Sequence, residues 1–307
     1  MLFDSEFLQR LEYLSLLSKR VFKGQLLAQR RTMTTGGGIE FADHREYISG
    51  DDLRYMDWKV YARHGDLLLK RFQEEEDLHV YILLDASSSM LGGDRLTGDG
   101  RGGRRGGGSD GVAKFDLARQ ITAALAYIAL ADLDRVSICA YDDRVRATLP
   151  LMRGKNNVLS ILRFLEALSC GGAKTDLKNS VGEFIGRAPR PGLALLISDL
   201  FDQDGFRDGI DRLRYARFEP HVVQLHTPEE ADPQLLGDVA LIDCETGKER
   251  KVTVTERKCK QYRALFEAFL KDVEAYCRRA GLSHTRTTTE VPFDQVLLGM
   301  MRSAAVG

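Results

Sequence analysis

The sequence lacks several signals that would assign it to a class directly. It has one tryptophan and five cysteines in 307 residues, and 44 Lys and Arg balance 45 Asp and Glu. The balanced charge gives no global field for nucleic acid or an acidic membrane surface. The cysteines are odd in number and contain no CxxC pair, which favours reduced thiols in a cytoplasmic protein over a disulfide framework or a zinc site.

Long apolar runs are also missing. Residues 1–24 are charged and periodic, unlike the apolar core of a secretory signal peptide. No segment approaches the roughly 20 apolar residues that span a bilayer. We therefore expect a cytoplasmic protein that neither inserts into a membrane nor binds nucleic acid.

What the sequence does contain is an alternation of strand-like and helix-like segments over residues 77–228. Apolar runs such as "LHVYILLD" and "GLALLISDL" alternate with amphipathic runs such as "AKFDLARQITAALAYIALADL". This pattern predicts an α/β domain with a doubly wound, mostly parallel sheet and helices on both faces, Rossmann-like in plan.

Two extensions flank this predicted domain. Residues 1–76 are predicted to form one or two helices up to about residue 30, followed by charged, turn-rich β structure. Residues 229–307 contain two extended runs joined at residues 245–248 as a hairpin, then a long helix, a strand and a short helix after Pro292. We expect this C-terminal part to complete the domain.

Residues 92–111, "GGDRLTGDGRGGRRGGGSDG", fit neither pattern. So many glycines cannot bury a core, which predicts a mobile loop. The segment is similar to arginine-glycine tracts that bind RNA, but its four arginines face three aspartates and it has no aromatic residue for base stacking. We interpret it as a tolerated insertion.

Five oxygen-bearing residues are placed to meet at one edge of the predicted sheet. Asp85, Ser87 and Ser89 follow one strand, Asp199 ends another, and Thr175 lies in a loop that opens a helix. The carboxyl ends of parallel strands share an edge, where ligands collect. An all-oxygen set suits Mg²⁺, Mn²⁺ or, less readily, Ca²⁺, and a divalent cation relieves the repulsion of two carboxylates.

Each of these residues also has a simpler explanation. Ser89 and Thr175 could be helix N-caps, and Asp199 could cap the helix after it. Thr175 lacks the Glu or Gln three positions on that a capping box would add, because Lys178 stands there. Taken jointly, the five residues favour a metal site.

The set Asp85-x-Ser87-x-Ser89, Thr175 and Asp199 resembles the metal-ion-dependent adhesion site of von Willebrand factor type A domains. The segments "GGGIEFADHREYISGDDLRYMDWKVYARHGDLLLKRF", "GGAKTDL", "LISDLFD" and "DCETGKE" are similar to a bacterial family catalogued as domain of unknown function 58. That resemblance covers nearly the whole chain.

The resemblance implies a function. The serines and threonine would touch the metal directly, the aspartates directly or through water, and a partner's Glu or Asp would fill the remaining position. The implied partner is a MoxR-type AAA+ ATPase or its client. One departure is Leu200, which stands where many adhesion modules have glycine, as is usual in the bacterial family.

The segment over residues 41–63 is dense in charge and holds the one tryptophan. Its candidate partner-binding residues are Arg45, Asp51, Asp52, Asp57, Trp58 and Arg63. We favour an ion-pair web with Trp58 as a buried anchor, and a docking surface for a partner is the alternative.

No enzyme motif is complete. The "GGAKT" segment lacks the glycine that a phosphate-binding loop has before its lysine, and no G-x-S-x-G nucleophile elbow occurs. The sequence therefore predicts a non-enzymatic, metal-dependent interaction module. The alternative is a Mg²⁺-dependent hydrolase, a phosphatase or nuclease, with its base within residues 41–63.

Replacing residues 92–111 with a short Gly-Ser linker is expected to leave the melting temperature almost unchanged. Glycine loses much conformational entropy on ordering and returns no apolar burial. A fall of many degrees in a thermal melt would show that the insertion packs against the domain.

Overall fold

The computed structural model describes residues 2–14, 32–34, 40–74, 78–91, 113–132, 134–171, 174–243 and 248–306. The chain forms two compact units, Met1–Leu17 with Leu78–Gly307, and Ser18–Asp77. The predicted insertion at 92–111, the predicted helix beyond residue 14 and the hairpin turn at 245–247 lie outside the described residues.

The elements carry labels in chain order. The helices are α1 (residues 5–14), α2 (Trp58–His64), α3 (Lys114–Ala131), α4 (Val158–Ala167), α5 (Leu177–Arg187), α6 (Arg207–Tyr215), α7 (Pro228–Ala231), α8 (Glu256–Arg279) and α9 (Phe293–Val306). The strands are β1 (Thr32–Thr34), β2 (Glu40–Glu46), β3 (Leu68–Glu74), β4 (His79–Asp85), β5 (Arg135–Tyr141), β6 (Val145–Arg153), β7 (Leu193–Ser198), β8 (Glu219–His226), β9 (Gly237–Ile242), β10 (Glu249–Val254) and β11 (Ser283–Thr288).

The larger unit is built on a six-stranded sheet in the order β11-β8-β7-β4-β5-β6. Every neighbouring pair is parallel except β5 and β6, which run antiparallel. The chain leaves β4 toward β5 on one side, and β7 continues to β8 on the other. The crevice between β4 and β7 is therefore the point at which the winding direction reverses, where doubly wound folds bind ligands.

Helices cover the sheet because its strands are apolar on both faces. One face packs on α5, α6 and α8, through strand residues such as Leu83, Leu196 and Val222. Ile82 and Ile197, which alternate with them, are also fully buried, and α3 packs along β4 and β5. Near-continuous apolar strands of this kind are typical of parallel sheets buried on both sides.

The first helix belongs to this unit. The Phe7 and Phe293 rings lie 4.7 Å apart between α1 and α9, and Arg10 Nη1 is 3.7 Å from Asp294 Oδ1. The predicted extension of residues 1–76 is thus divided in the structure, because the aromatic face of α1 packs on the C-terminal helix. The predicted hairpin is present as β9 and β10, which pair antiparallel.

The smaller unit holds a three-stranded antiparallel sheet in the order β1-β3-β2. Met56 and Leu69 are its buried apolar residues in the part that the structure describes. Asp57 caps α2 by accepting hydrogen bonds from the backbone N–H groups of Lys59 and Val60. The helix ends at Gly65, whose φ of 78° is left-handed and suits glycine.

The prediction of a mixed α/β protein with a mostly parallel central sheet is confirmed by this architecture, which is compatible with a doubly wound fold. The single antiparallel edge strand, β6, is the exception to the parallel order.

Two helical glycines provide a matched test of the α5–α6 packing. A Cβ on Gly209 of α6 would lie 2.5 Å from Leu177 Cγ, whereas a Cβ on Gly186 of α5 would meet nothing within 4 Å. Gly209→Ala is expected to destabilise the protein by about 1–3 kcal/mol through overpacking. Gly186→Ala is expected to stabilise it by up to about 1 kcal/mol. Urea unfolding measures both, and equal shifts would contradict this account of the interface.

Candidate metal centre at the carboxyl edge of the sheet

The two predicted metal-binding aspartates come from neighbouring strands. Asp85 is the last residue of β4, and Asp199 follows Ser198, the last residue of β7. Leu84 and Ile197 are paired in register, which places Asp85 beside Ser198 at the winding reversal and Asp199 one residue further along. Both aspartates are buried.

The segment after β4 turns sharply and presents its hydroxyls together. The Asp85 Oδ1 atom accepts a hydrogen bond from the Ser87 backbone N–H at 2.9 Å, and a 3₁₀ turn follows over Ser88–Leu91. The Oγ atoms of Ser87 and Ser89 are hydrogen-bonded to each other at 2.9 Å. Ser89 therefore lies inside this turn and does not begin a long helix.

The loop that carries Thr175 is tied to the same segment. Cys170 Sγ donates to the Ser87 carbonyl oxygen at 2.9 Å, and the Gly171 N–H donates to the Ala86 carbonyl oxygen at 3.2 Å. Thr175 is buried, and the N-cap of α5 is its neighbour Asp176. The helix-cap explanation of Thr175 is thereby excluded.

The backbone turn at Asp199 bears on Leu200, which stands where many adhesion modules have glycine. Leu200 has φ of 63°, in the left-handed region where glycine is at ease, and this costs a leucine about 1 kcal/mol or more. Its side chain is buried, which offsets that cost. Asp199 does not cap α6, because the N-cap of that helix is Phe206; its Oδ1 instead accepts from the Phe201 N–H at 3.0 Å.

Burial and the neighbouring carboxylate change the protonation of Asp85. Desolvation, followed by the repulsion of Asp199, raises the pKa of Asp85 to about 7, and hydrogen bonds oppose the shift. One of these comes from Ser198 Oγ to Asp85 Oδ2 at 2.6 Å. The carboxylate therefore binds a proton far more readily than a solvated aspartate does.

Sequence reasoning missed a lysine in this cluster. Lys114, the first residue of α3, is fully buried, and its Nζ atom lies 2.8 Å from Asp199 Oδ2 and 2.5 Å from Glu230 Oε1. Two signals in the sequence could have indicated Lys114 and Glu230. A lysine at the N-terminus of a helix opposes the helix dipole, and Thr227 with Glu230 forms the T-x-x-E pattern of a capping box.

The donor set fits a hard divalent cation. In an octahedral Mg²⁺ shell with Mg–O distances of about 2.0–2.1 Å, adjacent ligand oxygens lie about 2.9 Å apart, which is the separation of the Ser87 and Ser89 hydroxyls. When ionised, Asp85, Asp199 and Glu230 outnumber the one ammonium of Lys114 by two charges.

A further polar atom points to the same place. The hydroxyl of Tyr141, the register partner of Asp85, is buried, and its pKa is raised by desolvation and then by the charge of Asp85, while Ser198 opposes the rise. In the described part of the chain no group of three or more His, Cys, Asp or Glu side chains could hold a metal. The candidate centre is of another kind, since hydroxyl oxygens supply most of its donors.

The candidate partner-binding residues of the smaller unit divide into two groups. Four of them make local contacts: Arg45 pairs with Asp51 at 2.7 Å, Asp52 pairs with Arg54 at 2.6 Å, and Asp57 pairs with His44 at 3.0 Å. These contacts are separate local pairs within the segment, and a docking role for these residues stays a prediction.

Trp58 and Arg63 form the second group, and both are exposed. The expected burial of Trp58 is wrong, because 58% of its surface is exposed. Its position as the first residue of a short surface helix turns the indole outward, where its ring meets the ring of Tyr61 edge-on at 6.2 Å.

The fold and the edge cluster define an α/β protein with hydroxyls and carboxylates gathered at the winding reversal of a mostly parallel sheet. Residues 43–275 match the family described as "Protein of unknown function DUF58", and the chain belongs to this family. The uncharacterized protein Rv1480 of Mycobacterium tuberculosis is 24% identical over 253 residues, which cover 82% of this chain and 75% of that protein.

The chain is also similar to solved structures, three of which follow. The conserved hypothetical protein BatB of Bacteroides thetaiotaomicron is 16% identical with a TM-score of 0.42, covering 73% of this chain and 99% of that one. An aerotolerance-related membrane protein of Bacteroides fragilis is 13% identical with a TM-score of 0.43, covering 74% and 98%. An uncharacterized membrane-spanning protein of Vibrio fischeri is 14% identical with a TM-score of 0.23, covering 75% and 100%.

The cytoplasmic location predicted from the sequence is wrong by this comparison, because two of these three structures are described as membrane proteins. None of the helices that the structure describes is both long and apolar enough to cross a membrane.

Asp85 gives the metal-free protein a distinctive pH dependence. Its pKa is raised from 3.8 to about 7 in the folded state, so between these values the folded chain retains a proton that the unfolded chain has lost. Its contribution to stability is present in full below about pH 4 and is lost as pH rises through 7.

In EDTA, the melting temperature of the wild type should therefore fall relative to that of Asp85→Asn as pH rises from 5 to 7.5. Asp204→Asn is a suitable control, because that carboxylate is exposed on the loop after Asp199. Parallel curves for the wild type and Asp85→Asn in thermal melts would contradict the raised pKa.

Proposed function

We propose that this protein is a non-enzymatic, metal-dependent protein–protein interaction module with a von Willebrand factor type A-like adhesion site. The site would hold Mg²⁺, or Mn²⁺, at Asp85, Ser87, Ser89, Thr175 and Asp199. The observation that carries the proposal is the pair of serine hydroxyls at 2.9 Å beside two buried carboxylates. That spacing is the length of an ordinary O–H···O hydrogen bond, and it also matches one edge of a Mg²⁺ coordination shell.

The donors have distinct roles in this proposal. Ser87, Ser89 and Thr175 would contact the ion directly, and the two aspartates would do so directly or through water. Hydroxyl ligands bind a cation without neutralising it, so a carboxylate from a partner gains a charge-assisted contact. The bound ion supplies an open coordination position for that carboxylate.

The surroundings of Asp85 support binding over turnover. A general base must reach the proton that it removes, and Asp85 is fully buried with both oxygens engaged. Its Oδ1 accepts from the Ser87 N–H and its Oδ2 from Ser198 Oγ. These contacts favour a fixed outer ligand over a group that exchanges protons with a substrate.

The partner follows from the family resemblance. We propose a MoxR-type AAA+ ATPase, or its client, which presents a Glu or Asp side chain to the ion. One carboxylate contact is weak on its own, so further surface must contribute area. Within the smaller unit, the exposed rings of Trp58 and Tyr61 on α2 are a separate candidate surface for a partner, because aromatic residues are enriched in interface cores.

The experiment is a pull-down from a lysate of the source organism, with captured proteins identified by mass spectrometry. A AAA+ ATPase or its client should be recovered in Mg²⁺ and lost in EDTA. Asp85→Ala and Thr175→Ala should lose the same partners, because each removes one oxygen donor from the proposed centre.

The matched control is Asp204→Ala, which removes an exposed carboxylate from the same edge of the sheet. It should recover the partners as the wild type does. Equal recovery of the partners with EDTA and with both site variants would show that capture does not depend on the metal. Mg²⁺-dependent hydrolysis of a phosphate ester by the purified protein would favour the alternative, an enzyme.

A further inference from the structure

Lys114 is the one cation in contact with the candidate metal centre among the described residues. Its side chain has no exposed surface, which is rare for lysine. Burial alone would lower its pKa, but attraction to Asp199 and Glu230 outweighs that effect and raises the pKa. The ring of Phe201 lies 5.4 Å from the ammonium. Lys114 is therefore held as a charged group.

The contact occupies one of the two Asp199 oxygens that a metal could use. Asp199 Oδ1 accepts the hydrogen bond of the Phe201 N–H, so a metal at either oxygen would meet a group that is already bound there. Lys114 Nζ lies 2.8 Å from the Oδ2 atom. A divalent ion and an ammonium sharing one carboxylate oxygen at this range repel each other strongly in a buried site.

Glu230 gives the ammonium a second place to bind. Its Oε2 accepts from the Thr227 N–H in the capping box of α7, and its Oε1 accepts from Lys114. The capping box holds the glutamate in place without help from Asp199. Lys114 can therefore leave Asp199 and still keep one carboxylate partner.

We infer that Lys114 is a built-in competitor for the divalent ion, which occupies Asp199 when no metal is bound and transfers to Glu230 alone when the metal binds. This inference rests on the proposed function, because it concerns the same centre. It makes Lys114 the residue that sets how strongly the site binds metal. The centre then fills only where the free divalent ion is abundant enough to displace the lysine.

A purely structural pin is the alternative to competition. Lys114 joins the start of α3 to the residue after β7 and to α7, and it could serve only to hold these elements together. The two roles predict different changes in metal affinity when Lys114 is replaced. Removing a pin leaves metal affinity unchanged or weakens it, whereas removing a competitor strengthens it.

The test is titration calorimetry with Mn²⁺ on the wild type, Lys114→Met, Glu230→Gln and the double variant. Lys114→Met should bind Mn²⁺ at least about tenfold more tightly, because Asp199 loses its competing partner. Glu230→Gln should bind more weakly, because the displaced lysine loses its second partner. That weakening should largely disappear in the double variant, since only coupled residues depart from additivity.

The control is Lys174→Met, which removes an exposed ammonium that pairs with Asp204 at 3.1 Å on the same edge of the sheet. Its affinity should stay close to that of the wild type. This control separates competition at Asp199 from a general change in charge. Circular dichroism verifies that each variant folds. If Lys114→Met does not fold, Glu230→Gln decides the question, and an unchanged Mn²⁺ affinity in that variant overturns the inference.

The outcomes distinguish the two proposals. If the wild type binds Mn²⁺ and Lys114→Met binds it equally or less tightly, the competitor inference fails and the metal centre stands. If Glu230→Gln has the same effect with and without Lys114, the transfer to Glu230 is wrong. If neither the wild type nor Lys114→Met binds Mn²⁺, both the proposed function and the inference fail.

Discussion

Two carboxylates buried side by side require positive charge, and this requirement governs the carboxyl edge of the sheet. Asp85 and Asp199 come from adjacent strands, and both are almost completely removed from water. The raised pKa of Asp85 reflects that cost. Lys114 meets part of the requirement from within the chain, and a divalent ion would meet the rest.

The fold keeps these groups together because strand order, and not sequence proximity, sets their spacing. The pairing of β4 with β7 joins residues more than 100 positions apart. Cys170 and Gly171 then fasten the loop of Thr175 to the segment after Asp85. Leu200 accepts a left-handed backbone so that the chain can turn at the strand end. Local strain is thus stored beside the site, as is common at functional positions.

The sequence predicted those site residues whose positions follow from closeness in the chain or from the order of strands and helices. Asp85, Ser87 and Ser89 are adjacent in the chain, and the alternation of strands and helices was enough to expect Asp199 on the same edge. Lys114 and Glu230 were missed because their contact spans 116 positions and no periodicity predicts it. Trp58 was misjudged because composition favours burial of a lone tryptophan, whereas the short helix α2 turns it outward.

The central claim is that this edge binds a divalent cation through its hydroxyls, and anomalous diffraction from crystals soaked in Mn²⁺ tests it most directly. The account predicts an anomalous peak within about 2.0–2.3 Å of the Ser87 and Ser89 Oγ atoms, with Lys114 Nζ moved away from Asp199 toward Glu230. Ordered Mn²⁺ elsewhere on the molecule, with this edge free of anomalous density and Lys114 still paired with Asp199, would contradict it.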